Sequence, residues 1–139
     1  MHMEGQRMST VANATFGFNS WDEAPYVEVD GEIKLARASI TNTIAGDIVG
    51  ESSLCYLMAY LPDGNASFVG HEHVTGRIGD RSGTFVLKHD GLFSNGQARG
   101  TIEVVPGSAT GGLTGLIGSG SYVATDVQPT PFTLVYEIT

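Results

Sequence analysis

Apolar and polar residues alternate with a period of two along most of the chain, and no run sustains the spacing of an amphipathic helix. Turn signals break the alternation at intervals of about ten to fifteen residues: Asp30-Gly31, Pro62-Asp63-Gly64-Asn65, Gly79-Asp80-Arg81-Ser82, Asn95-Gly96, Pro106-Gly107-Ser108 and Pro129-Thr130-Pro131. The runs between them are rich in Val, Ile, Thr, Phe and Tyr. They predict strands over 10–21, 33–45, 49–61, 66–78, 83–92, 97–105, 118–125 and 132–138. Strands of this length joined by short hairpins build an up-and-down barrel or a sandwich. The expected fold is all-β, a closed eight-stranded antiparallel up-and-down barrel with few or no helices. The stretch from Thr110 to Leu116 has room for one short helical turn.

The turns also imply a register. Asn95-Gly96 is the preferred two-residue hairpin loop, so Ser94 pairs with Gln97 and His89 with Ile102. A two-residue loop at Asp80-Arg81 pairs Gly79 with Ser82, which sets His89 opposite Glu72, Leu87 opposite Val74 and Phe85 opposite Gly76. Alternation then puts Phe68, Gly70, Glu72 and Val74 on one face, with Phe85, Leu87 and His89, and with Gly100, Ile102 and Val104. This is the more apolar face and is taken as the interior. A three-residue connection at Pro62-Asp63-Gly64 adds Leu54, Tyr56, Met58 and Tyr60 to it, with Tyr56 against Gly70, whereas a two-residue loop there would bring Cys55 inside instead.

Composition narrows the function classes. The chain has 139 residues, the size of one domain, with a formal net charge of −8 from 15 acidic and 7 basic residues. Nucleic-acid binding needs Lys and Arg to displace counterions, and no basic stripe is present, so no nucleic-acid partner is expected. An anionic membrane surface repels such a chain, and the longest apolar run, Leu54 to Leu61, is far short of the ~20 residues that span a bilayer. No membrane partner is expected. A single cysteine, Cys55, permits no internal disulfide, which fits a cytoplasmic location. Residues 1–9, with three methionines and no apolar core of a secretory signal, read as a disordered or tag-like start before a single domain over 10–139.

Candidate chemistry is sparse. His71-Glu72-His73 puts two imidazoles on one face at metal-ligand spacing, but the third histidine, His89, belongs to the other face, and Arg77 and Ile78 stand where a carboxylate ligand would follow. Two histidines on a barrel exterior explain the pattern better, so no metal is expected. The glycine-rich stretches at 106–112 and 115–120 lack the Lys-Ser/Thr of a phosphate loop and the strand-to-helix setting of a dinucleotide fingerprint, so no cofactor is expected. Glu72 and His89, inward together, are the sharper pair: a carboxylate and an imidazole in an apolar lumen suit a general base and its orienting partner, or a self-satisfied buried pair. Tyr56 and Tyr60 complete the candidate lumen site as donors to a bound oxygen, or as core filler.

Several segments together resemble a bacterial family, domain of unknown function 3224: Ser20-Trp21-Asp22-Glu23; Tyr56-Leu57-Met58-Ala59-Tyr60 with Pro62-Asp63-Gly64; Phe68-Val69-Gly70 with Glu72; Ser82-Gly83-Thr84-Phe85-Val86-Leu87 with His89 and Gly91; and Val105-Pro106-Gly107-Ser108 with Thr110-Gly111, Leu113 and Gly115-Leu116. The resemblance covers roughly residues 12–138. It implies a barrel similar to that of allene oxide cyclase, and it places Glu72 and His89 where the family uses those residue types. Cys55 and Ile102 depart from the pattern, where a polar or acidic residue and a Trp are expected, and both would reshape the lumen. The family carries no assigned reaction.

The leading expectation is a barrel that binds one small, largely apolar molecule in its lumen. The alternatives are an isomerase or cyclase using Glu72 and His89, and a structural or interaction barrel whose lumen is filled by Phe16, Phe18, Phe68, Phe85, Tyr56 and Met58. Apolar residues on the outer face, Leu57, Val69 and Val86, predict a homo-oligomer, a dimer or trimer.

Overall fold

The computed structural model describes residues 9–139, so the first eight positions lie outside the described residues, as does almost all of the segment read as a disordered or tag-like start. Eight antiparallel strands close in simple sequence order: β1 (Thr10–Glu28), β2 (Lys34–Gly46), β3 (Ile48–Tyr60), β4 (Ala66–Ile78), β5 (Arg81–Ser94), β6 (Gln97–Val104), β7 (Leu116–Ala124) and β8 (Thr130–Ile138). The one helical element among the described residues is a 3₁₀ turn, Gly111–Leu113, inside the stretch where a short turn is expected. Closure by hydrogen bonding between β1 and β8 leaves the sheet no long free edge there, with Thr10 paired to Tyr136 and Phe16 to Thr130.

Strand alternation divides the residues as the sequence implies. The inward positions of β4, Phe68, Glu72 and Val74, are buried, and so are Phe85, Leu87 and His89 of β5 and Ile102 and Val104 of β6. The outward positions carry His71, His73, Lys88 and Asp90, all exposed. Leu57 and Val69 are exposed and directly paired across β3 and β4, whereas Val86 is half-buried.

Two hairpins have the expected register. Ser94 pairs with Gln97 through a loop in which Asn95 (φ 53°) and Gly96 (φ 74°) both take the left-handed backbone of a type I′ turn. Tyr56 pairs with Gly70. The β4–β5 hairpin differs by two residues. Its loop is Gly79-Asp80, Ile78 pairs with Arg81, and Glu72 faces Leu87 while His89 faces Gly70. The reason lies in the turn: Gly79 has φ 62°, and a two-residue loop that starts with a positive φ puts the glycine inside the loop, not beside it. A shift of two preserves facing, so Glu72 and His89 still point inward but stand diagonally instead of opposite.

β1 runs past its expected end to Glu28, still paired with β2, and has an irregularity between Phe18 and Ser20. Before it, Ala12, Ala14 and Phe16 face inward; Phe18 still pairs with Asn42, and beyond it Trp21 pairs with inward Ile40. The extra residue re-aims the strand so that an odd-numbered position takes the inner face.

The two ends of the barrel differ. At the end formed by the turns at 46–48 and 79–80 and the loop at 105–115, Ile44, Ile48, Val74, Ile78, Phe85 and Leu116 pack closely, and Leu113 from the 3₁₀ turn is fully buried against them. At the other end, three aromatic rings lie flat over glycines on the neighbouring strand: Tyr56 over Gly70, Phe68 over Gly91 and Tyr122 over Gly100, each a directly paired couple. A Cβ at Gly100 would stand 2.5 Å from Tyr122 Cζ, and one at Gly91 would stand 2.3 Å from Phe68 Cζ. Missing side chains on one strand therefore let the rings of the next recline against the wall. Gly100→Ala should lift the Tyr122 ring and destabilise the fold by about 1–3 kcal/mol, the usual cost of overpacking, measured by urea unfolding. An unchanged midpoint would show that the ring has no need of the space.

Candidate functional site

Glu72 is fully buried at mid-height in the barrel. An ionised carboxylate accepts hydrogen bonds only, and here three donors converge on it from three strands. His89 Nε2 on β5 stands 2.7 Å from Oε1. Oε2 accepts from Ser52 Oγ on β3 and, at 3.2 Å, from Asn42 Nδ2 on β2. The diagonal placement of Glu72 and His89 suits this contact, because neighbours two residues off register lie within reach of long side chains. Gly70, directly opposite His89, puts no side chain in the way.

The far side of the imidazole continues the network. His89 Nδ1 lies 3.0 Å from Tyr122 Oη and 3.2 Å from Tyr56 Oη, and the two hydroxyls are 2.9 Å apart. Phe16 backs the group, tilted against His89 and edge-on to Tyr122. Burial pushes the Tyr56 phenol well above its ordinary value of 10, and Tyr122 and the Glu72 charge push it the same way. Burial also raises Tyr122; the hydrogen bond with Tyr56 lowers it, but the Glu72 charge adds to the rise. Both phenols stay neutral.

Above this polar floor a cavity of about 420 Å³ opens toward the end of the barrel with the reclining rings. His89, Tyr56 and Tyr122 form part of its lining, and Phe16, Leu54, Met58 and Phe68 supply apolar wall. Glu72 lies behind the lining. Phe18, Trp21, Tyr60 and Phe93 surround the mouth, and Phe18 packs edge-on against Trp21. Glu23 ties the mouth together: Trp21 Nε1 donates to one of its oxygens at 3.0 Å and Tyr60 Oη to the other at 2.7 Å. Burial and that hydrogen bond push Tyr60 up to about 12.

The four residues expected at the site therefore separate. Glu72, His89 and Tyr56 join one network; Tyr60 lines the same cavity but at its mouth, bonded to Glu23. Phe16, Phe18, Phe68, Tyr56 and Met58 surround the cavity without closing it, and Phe85 belongs to the packed end. Cys55 is exposed on the outer face and does not touch the lumen, whereas Ile102 is buried opposite His89. No group of three or more His, Cys, Asp or Glu side chains is placed to hold a metal ion among the described residues.

Sequence reading missed Asn42, Ser52, Tyr122 and Trp21. The first had a legible signal, since a polar residue between Ile40 and Ile44 interrupts an apolar alternation. Ser52, two before Leu54 on the same face, had a weaker one. Tyr122 shares its facing with Leu116 among glycines that conceal the pattern. Trp21 reaches the mouth only because of the irregularity in β1.

The raised phenols have a consequence at alkaline pH. Their neutral forms contribute stability that is fully present below pH 10, the ordinary value, and is lost as pH rises through the raised values, about 12 for Tyr60. Ultraviolet titration should show markedly less phenolate at pH 10 in the folded protein than in the same chain in denaturant. Equal absorbance in the two states would mean that the lumen does not shield these groups.

No curated protein matches the chain. A solved structure of a protein of unknown function from Shewanella oneidensis MR-1, of the DUF3224 family, is similar to it with a TM-score of 0.79 and 29% sequence identity, over 95% of this chain and 98% of that one. A family model described as protein of unknown function (DUF3224) matches residues 12–136, nearly the whole barrel. The chain belongs to the DUF3224 family.

Proposed function

We propose that the barrel binds one small, uncharged, largely apolar molecule in its lumen. The observation that carries this reading is the cavity of about 420 Å³, within the range of about 300–1,000 Å³ common for ligand pockets, with aromatic walls and a single polar floor. No Lys or Arg lines it, and Asp126 stands at its mouth, so the lining offers nothing to an anionic ligand. The glycine–aromatic couples support the reading: rings that stood upright would fill the space.

Trp21, the one tryptophan of the chain, lines the mouth and gives a direct readout. Titration with the uncharged probe N-phenyl-1-naphthylamine should quench Trp21 and brighten the probe with one-to-one stoichiometry. Ala124→Phe, at a partly buried lining position near the mouth, should reduce binding at least tenfold. Failure of the wild-type protein to bind, or equal binding by the variant, would remove the lumen as the binding site.

A second reading, proton transfer on a bound molecule, is favoured by one feature: His89 in the cavity wall is backed by the carboxylate of Glu72 at 2.7 Å, the pairing of a general base with its orienting group. Deuterium exchange into the carbon next to the carbonyl of a bound cyclic ketone such as 1-tetralone reports it. Exchange no faster than in buffer would end this reading and leave the binding one standing.

A further inference from the structure

The hydrogens at the polar floor can be counted, and the count selects a ligand. Glu72 accepts from Nε2 of His89, so Nε2 carries a hydrogen, and in the neutral imidazole Nδ1 then has a lone pair to fill. Two phenol hydrogens are available to the triangle of Nδ1, Tyr56 Oη and Tyr122 Oη, whose sides are 3.2, 3.0 and 2.9 Å. One phenol donates to Nδ1 and the other donates to the first phenol's oxygen. Every hydrogen is then used within the triangle, whichever tyrosine takes which part. One phenol oxygen is left with both lone pairs and no donor. Both tyrosines line the cavity.

Resting on the lumen reading above, we propose that this floor is an alcohol-selective subsite, which accepts the O–H of a neutral, otherwise apolar ligand at the Tyr56–Tyr122 pair. A hydroxyl ligand adds a hydrogen bond and breaks none. A ketone of the same shape needs a phenol hydrogen turned toward it, which breaks the bond between the two hydroxyls and leaves their oxygens 2.9 Å apart with no hydrogen between them. An ammonium head is less suited, because the oxygens of Glu72 are taken up by His89, Ser52 and Asn42 and Glu72 lies outside the lining. Glu72 acts here as a positioning residue, since its charge fixes the tautomer of His89.

The test is displacement of N-phenyl-1-naphthylamine by 1-tetralol and by 1-tetralone, near-identical in size and differing in the head group. The alcohol gains one hydrogen bond net and the ketone none, which should favour the alcohol by about five- to tenfold. Tyr56→Phe/Tyr122→Phe should bring the ratio of the two displacement constants to about one, whatever the variant's own affinity for the probe. In Glu72→Gln the amide oxygen stays with Ser52 and Asn42 and its N–H₂ meets Nε2. The imidazole hydrogen moves to Nδ1, the triangle gains a surplus hydrogen, and the preference should reverse toward the ketone. Equal affinity of the wild-type protein for the two, or tighter binding of the ketone, overturns the alcohol subsite and leaves the lumen reading intact. Probe that binds but is displaced by neither compound also overturns the subsite. Absence of probe binding in the wild-type protein overturns both.

Discussion

A carboxylate with no solvent access must be met by donors, and this requirement at Glu72 organises the upper half of the barrel. Its partners come from β2, β3 and β5, and the imidazole of His89 extends the network to Tyr56 on β3 and Tyr122 on β7. Five strands are thereby held in one register, because a slip of one residue at any of them would turn a network member outward. A charge-assisted hydrogen bond contributes about 1.5–3 kcal/mol, while an unpaired buried carboxylate costs more than any one of them returns. The network is therefore stable only when complete. The one buried side-chain polar atom without a partner among the described residues is Asn42 Oδ1, the atom left over once its amide nitrogen turns to Glu72.

The same network divides the interior. Below Glu72 the lumen is a packed core of aliphatic side chains and Phe85, closed by Leu113; above it the walls are aromatic and the space is open. What keeps the upper half open is the pairing of Tyr56, Phe68 and Tyr122 with glycines. The glycines give up packing area and β propensity in leaving the rings this room. Polar floor, reclining rings and the Glu23 tie at the mouth follow one another along a single axis, which is the arrangement of a pocket with a head end and a tail end.

The DUF3224 family model spans residues 12–136 and so takes in β2–β7 entirely, with the residues at the floor and the mouth of the cavity. The chemistry available at the floor is that of neutral phenols and one imidazole held in a fixed orientation. It can orient a hydroxyl or move a proton, and it offers no charged partner to an anionic ligand.

The fold class and the inward facing of Glu72, His89 and Tyr56 were legible in the sequence because both rest on local rules: turn residues set the hairpins and the period of two sets the faces. Asn95-Gly96 placed His89 opposite Ile102 correctly on that basis alone. The turn at Gly79-Asp80 was misplaced by one residue, which moves the pairing by two, and parity survived because two is the period itself. What the tertiary structure alone decided is everything that depends on distance across the barrel. The contact of Nδ1 with Tyr122, the convergence of Asn42 and Ser52 on Glu72, and the approach of Trp21 to Tyr60 through Glu23 join residues far apart in sequence. Alternation says which way a side chain points. Only closure of the sheet, with the irregularity in β1 and the absent side chains at Gly70, Gly91 and Gly100, decides what it meets there and whether space is left for a guest.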